Sequence, residues 1–427
     1  MNKKIIAGIL IVALIIIAVF FLFPRTPSSP IASLTPFEKL EMVLQQQTQL
    51  QDIDSETRFR IDISTSDPSL TGIASLLSEV DFVFRSKQSL SDTQNIKAES
   101  ILSLIYQDSP ALTLNTYMDS EQIVLKSNDL FSKAFYLSFD QYESFLSSTQ
   151  MPVQFELERI IERSLAFQEE FYRLEGTPGY ESFDQDKYRD MIESGLSEIL
   201  SETEPFEITI DDGSSTQKVL LSGLALRFND AQLAEFLLPI LREAQTDEGL
   251  KQVLVSKLDT LLAFSVDLYA IDSETLGTAN PHDEISDLLD NFESGYEEYI
   301  EDIITQLEYH QANSQSQKFQ VDWIIGINQE GFAVYQDLQV DMDTGEVFFQ
   351  TDHLSFHFNT ILHQINTPLV FSDYSEAVDE GINLVSLMEN PDSMESQMVM
   401  MQLYGSVMQR MSTNPLFMQI IQEIGVY

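Results

Sequence analysis

Residues 319–328, FQVDWIIGIN, 332–342, FAVYQDLQVDM, and 346–358, EVFFQTDHLSFHF, decide how this chain folds. Apolar and polar residues alternate along each, most cleanly through Leu354, Phe356 and Phe358. In an extended chain alternate side chains share a face, so each run has one apolar face and one polar face. The junctions, Gln329-Glu330-Gly331 and Asp343-Thr344-Gly345, are turn sequences. Three such runs in succession read as three antiparallel strands.

Two more strand groups lie upstream. Phe59, Ile61 and Ile63 alternate in RFRIDIST, and Val80, Phe82 and Phe84 in EVDFVFR. Further strands are expected at about 95–106, 111–118, 122–127 and 134–139, with turns at Gln107-Asp108-Ser109-Pro110 and Ser127-Asn128-Asp129. The other group begins at Pro205, where FEITIDD and STQKVLLSGLALRF flank the hairpin signal Asp212-Gly213.

Helical periodicity fills the intervals. A short helix is expected over about 37–51. Val153, Leu157, Ile160, Ile161, Leu165 and Phe171 lie near one face of another, which ends at Gly176-Thr177-Pro178-Gly179. Others are expected at about 184–202, 229–245, 247–270, 283–312 and 374–424. The stretch 283–312 carries Leu288, Leu289, Phe292, Tyr296, Ile300, Ile304 and Leu307 as an apolar stripe. About eleven strands in three groups, each followed by helices, imply an α+β fold. Its antiparallel sheet would have helical insertions packed on one face.

Ile5 to Phe23 form an unbroken apolar run of 19 residues. As a helix it would span about 28 Å at ~1.5 Å per residue, close to the ~30 Å hydrocarbon core of a bilayer. Lys3 and Lys4 precede it, and Arg25 follows. The positive-inside rule then places the N-terminus in the cytoplasm and the body outside, at the cell membrane, as a single-pass protein. A cleaved leader is the alternative. Its apolar region would be shorter, about 7–15 residues, and Ser28 and Ser29 offer a poor cleavage site. The expected organisation is a cytoplasmic stub and anchor over 1–23 and a Pro/Ser spacer over 24–36. A single extracytoplasmic domain would fill 37–427, with a sub-boundary near 203.

The chain has no cysteine, which removes disulfides and the lipobox of a lipoprotein. Lys3, Lys4 and Arg25 are the only basic residues before 31. Residues 31–427 therefore carry 20 Lys and Arg against 68 Asp and Glu, a net charge of −48. Such a surface repels nucleic acid and anionic lipid heads.

No motif supplies a catalytic centre. There is no Gly-x-Ser-x-Gly, Walker loop or dinucleotide fingerprint. Ser215-Thr216-Gln217-Lys218 fits Ser-x-x-Lys but enters a strand rather than a helix. His353 and His357 sit about 13 Å apart in a strand at ~3.3 Å per residue, too far to share an ion with each other. His363 is more distant still along the chain. Asp341-Met342-Asp343-Thr344-Gly345-Glu346 lacks the spacing of a calcium loop and reads as a hairpin turn. Glu297, Glu298, Glu301 and Asp302 lie opposite the apolar stripe of their helix, on its solvated face. No cofactor and no metal are expected.

Methionine is concentrated near the C-terminus. Met394, Met398, Met401, Met408 and Met411 follow helical spacing. They form either a stripe packed on the core or an adaptable apolar surface for a lipid-like ligand or a partner helix.

The stretch ALTLNTYMDSEQIVLKSNDLFSKAFYLSFDQYESFL, beginning at Ala111, resembles segments of uncharacterised membrane-anchored envelope proteins of bacteria. The strand tally and helical excursions also resemble the half-barrel fold of lipoprotein carriers and mycobacterial-type lipid-binding lipoproteins. That resemblance implies a curved sheet enclosing an apolar cavity, with no functional residue carried over. The function expected is a non-enzymatic, membrane-anchored protein that binds an apolar ligand or an envelope partner. The alternatives are an acidic scaffolding protein binding divalent cations and, third, a hydrolase with dispersed carboxylates.

Overall fold

The computed structural model describes residues 31–424, apart from 69, 93–94, 149–162, 212–214, 270–280, 313–318, 344–351 and scattered positions within 164–175. The apolar run Ile5–Phe23, most of the helix expected from Val153, and the Asp212-Gly213 turn therefore lie outside the described residues. No helix among the described residues is long and apolar enough to cross a membrane.

The fold is α+β, built on one open sheet. Its strands are β1 (Asp52–Ser64), β2 (Val80–Ser89), β3 (Lys97–Tyr106), β4 (Ser109–Met118), β5 (Gln122–Lys126) and β6 (Phe135–Ser138). β7 (Leu200–Asp211), β8 (Thr216–Asn229), β9 (Phe319–Ile327), β10 (Ala333–Asp343), β11 (His353–Ile365) and β12 (Ile382–Asn383) complete it. The spatial order is β12-β6-β5-β4-β3-β2-β1-β11-β10-β9-β8-β7. All neighbours are antiparallel except β12 and β6, which pair in parallel over two residues. Among the described residues the sheet is thus mixed and twelve-stranded, one strand more than the sequence pattern shows, because a two-residue strand carries no periodicity.

One long pairing makes the two halves a single sheet. β1 and β11 match from Ile53↔Ile365 to Ser64↔His353. The sub-boundary expected near 203 falls inside β7, within this same sheet.

The helices among the described residues are α1 (Pro36–Gln47), α2 (Thr71–Ser78), α3 (Phe139–Ser148), α4 (Gln185–Leu196), α5 (Asp230–Thr246) and α6 (Glu248–Tyr269). They continue with α7 (Pro281–Ala312), α8 (Ser375–Asp379), α9 (Leu384–Glu389), α10 (Met394–Thr413) and α11 (Pro415–Ile424). α1 starts with a capping box: the Glu38 N–H donates to Thr35 Oγ1 and the Thr35 N–H to Glu38 Oε2. Leu34, just before α1, and Phe37 both sink into the main core.

α4 ends at Leu196 rather than near 202. The next residues join β7, where Leu200 and Ser201 pair with Leu226 and Ala225 of β8. Ladder bonds and burial of Leu200 outweigh continued helix. Pro205 sits inside β7 at a bulge, where its missing N–H costs no ladder bond. The helices expected over 374–424 are α8 to α11, divided at β12, around Pro391 and at Pro415.

The main core joins α1, α4, α5, α6 and α7 to the β7–β9 end of the sheet. Tyr188, Ile192, Leu241, Leu250, Tyr296 and Ile300 are fully enclosed there. The stripe expected on α7 points into this core at Tyr296, Ile300 and Ile304, while Glu297, Glu298 and Glu301 face water. A second core joins α2 and α11 to β2 and β3 through Leu76, Val80, Tyr106 and Leu416.

Helices are not confined to one face. Residues 366–374 and α8 form a strap across the opposite face, near β3–β5. Lys87 Nζ donates to Val370 O at 2.8 Å, and buried Glu99 accepts from the Ser372 N–H, the Ser372 hydroxyl and the Tyr374 hydroxyl. Tyr374 stacks on Tyr117 at 4.8 Å between centroids. Burial lifts the Tyr117 hydroxyl to about 12, and burial together with Glu99 raises Tyr374. Folding therefore keeps protons that the unfolded chain releases near pH 10, so stability present below pH 10 is lost as pH rises beyond it. Tyrosinate absorbance at 295 nm should show a fraction of the tyrosines titrating only as the fold melts. All tyrosines titrating freely in the folded protein would refute this.

A line of irregularities, here called the crease, crosses the sheet. Glu204–Pro205 of β7, Gly223 of β8, Gly326 of β9, Val334 of β10 and His363 of β11 lie close to one line across five strands. Gly223 faces Gly326, and the register slips at or beside 204, 334 and 363. Bulges and glycines sharpen local twist and let a sheet bend. Leu221, Phe332, Val334 and Leu362 fill the crease, with Phe206 and Tyr335 packed edge to face at 5.4 Å.

Candidate ligand-binding face

Cross-strand register lines up one residue from each of nine adjacent strands. From β7 to β4 the row reads Leu200, Leu226, Trp323, Leu338, Phe358, Phe59, Phe82, Leu104 and Leu112. Every member is apolar. A parallel row reads Phe228, Val321, Val340, Phe356 and Ile61. Together they make an apolar belt across the sheet, between the two helical cores.

The ends of the belt are packed. Leu200, Leu226 and Trp323 belong to the main core, and Phe82 and Leu104 to the second. The middle is half-buried. Phe59 stacks on Phe358 at 4.5 Å, lies 6.2 Å from Phe356 and meets Phe82 at 5.8 Å. Phe84, beside Phe82 on the same face, is 43% exposed. An apolar pocket of about 240 Å³ opens next to this cluster, lined by Ile73, Leu76, Leu77, Phe82, Leu416 and Ile420 among others. No polar side chain is among the lining residues, so the pocket favours hydrocarbon.

The other face of the central strands is polar. His353 Nδ1 lies 3.0 Å from Asp343 Oδ1, and His357 Nε2 lies 2.6 Å from Asp337 Oδ1. His363 Nδ1 accepts from the Asp211 N–H at 3.2 Å. The three histidines thus sit on β11, each with a different carboxylate-bearing residue. No group of three or more His, Cys, Asp or Glu among the described residues could hold a metal ion. Asp341 and Asp343 end β10, and 344–346 lie outside the described residues. Lys218 is an exposed strand residue facing Glu207 at 3.3 Å, not the lysine of a helical Ser-x-x-Lys site.

Two carboxylates are buried among the described residues, Asp54 and Glu99. Arg85 holds the first through two bonds of 3.2 and 3.0 Å, and the strap holds the second. Each is thus paired within the fold.

Met394, Met398, Met401 and Met408 lie on the outer side of α10, half to four-fifths exposed. Met411 falls off that line and is half-buried. The stripe is therefore a surface feature rather than core packing, and it does not line the 240 Å³ pocket. Sequence reading missed the belt because alternation assigns faces strand by strand but does not say which residues align. Comparison with family models, curated proteins and solved structures finds no match.

Proposed function

We propose that this chain is a non-enzymatic, membrane-tethered extracytoplasmic protein whose apolar belt binds a ligand with an acyl-chain character. The half-buried aromatic cluster of Phe59, Phe82, Phe356 and Phe358, continuous with an all-apolar pocket, carries the reading. Ligand pockets usually measure about 300–1,000 Å³, so a pocket of about 240 Å³ takes one end of a chain and does not enclose a whole lipid. The rest of the ligand lies along Phe82, Phe84 and Phe59. The apolar run Ile5–Phe23 supports the tether, and the −48 body supports contact with hydrocarbon through an inner face rather than with anionic heads.

The single tryptophan, Trp323, sits in the belt and reports on it directly. Titrating the full chain with a fluorescent sixteen-carbon fatty acid should give saturable energy transfer from Trp323, competed by unlabelled fatty acid. Phe84→Asp, at a half-exposed position, should leave the fold intact and weaken binding about tenfold, through charge placed against hydrocarbon. No saturable binding, or equal binding by the variant, would reject the assignment.

A further inference from the structure

α10 has two apolar faces. Val399, Leu403 and Val407 lie on the inner one, toward the body, with Ser396 buried beside them. The Ser406 hydroxyl and the Asn414 amide, just past the helix end, reach the carbonyls of Leu130 and Ala111. On the opposite face lie Met394, Met398, Met401, Gly405, Met408 and Ser412, at spacings of four, three, four, three and four. The spacings alternate four and three, as at the a and d positions of a seam between two helices, and average 3.6 residues, so the six positions form one straight stripe along the helix. All six are exposed, with Met394 79% and Met401 74% open to solvent.

The surroundings of the seam say what fits it. A helix lying on a bilayer carries a broad apolar face and a Lys/Arg-rich polar one. α10 has no Lys/Arg-rich polar face: it carries only two charged residues in all, Glu395 and Arg410, with exposed Met400 and Tyr404 beside the seam. Gln397, Gln402 and Gln409 flank it, so no charge pattern selects a different helix or repels an identical one. Gly405 stands near the middle of the 20-residue helix, with nothing within 4 Å of where a Cβ would be. Two copies crossing there would approach most closely at Gly405, with Met401 and Met408 on either side. Met394, Met398, Met400, Met401, Met408 and Tyr404 are about half to four-fifths exposed, which amounts to on the order of 700 Å² of surface, close to the ~800 Å² per partner of a standard interface.

We propose that α10 is a self-association surface, and that the chain forms a two-fold dimer by packing this seam against the same seam of a second copy. The proposal is independent of the ligand-binding belt, which lies on a different part of the molecule.

Because the chain has no cysteine, single introduced thiols report without background. The full chain would carry Met401→Cys, Met408→Cys or, as an exposed control on β8, Leu220→Cys, and be treated in intact cells with a short membrane-permeable bis-maleimide. The two seam variants should give a product of twice the chain mass at least tenfold above the Leu220→Cys control. Adding Met394→Glu to the Met401→Cys chain should abolish that product while leaving the melting temperature unchanged. Absence of a dimer at both seam positions would overturn the proposal. So would cross-linking equal to the control, a product with a different protein, or seam thiols that only lipid shields.

Discussion

Replacing Arg85 by methionine will destabilise the protein by about 3–5 kcal/mol, the usual cost of leaving a buried charge without its partner. Asp54 is almost wholly enclosed, with a side chain 2% exposed, at the point where β1 slips its register against β11. Arg85 reaches it from β2 with two parallel hydrogen bonds, and the carboxylate in turn holds the guanidinium pKa up. Without Arg85 the carboxylate must stay charged and unpaired or take up a proton. The double variant Asp54→Asn/Arg85→Met removes the charge and should recover more than half of the loss, since the penalty lies in the isolated ion. Urea unfolding midpoints of the three proteins measure this. A single variant within 1 kcal/mol of the parent, or a double variant as unstable as the single, would show that the pair does not carry this weight.

Gly326→Val is expected to cost about 3 kcal/mol, at the upper end for overpacking a filled site. A Cβ at Gly326 would stand 2.6 Å from Leu221 Cδ1, 2.9 Å from Phe206 Cζ and 3.0 Å from Tyr335 Cβ. The first two neighbours can turn aside, but Tyr335 Cβ is fixed to the backbone of β10. The Phe206 ring spans Gly223 and Gly326 and roofs the crease, so valine displaces it and opens the small core beneath. Phe206→Ala removes one clashing group, and combining the two changes should cost clearly less than their sum. Strict additivity in thermal or urea unfolding would argue that the crease has room to spare.

Much of the architecture was legible. Alternation at Phe59, Ile61 and Ile63, at Val80, Phe82 and Phe84, and at Leu354, Phe356 and Phe358 marks strands because a pleated chain has a period of two whatever it pairs with. Helical stripes such as Tyr296, Ile300 and Ile304 were equally plain, because a helix satisfies its own backbone. α2 and β12 were not legible, being too short for a period to repeat. The start of β7 was misplaced because Leu196 to Thr203 suits helix or strand alike, and only the facing residues of β8 decide.

The candidate face divides the same way. The sequence by itself determined the apolar half of each strand, the run at Ile5–Phe23, the absence of cysteine and a body of charge −48. It also marked the methionine stripe, but not which way that stripe points. Only the tertiary structure decided that β11 returns to pair with β1. That long-range register sets Phe358 against Phe59 and turns separate apolar strand faces into one belt. Register is a relation between distant segments, fixed by the best joint burial of both. The outward turn of Met401 likewise follows from Val399, Leu403 and Val407 being taken inward. A helix with two apolar faces can bury only one against its own chain.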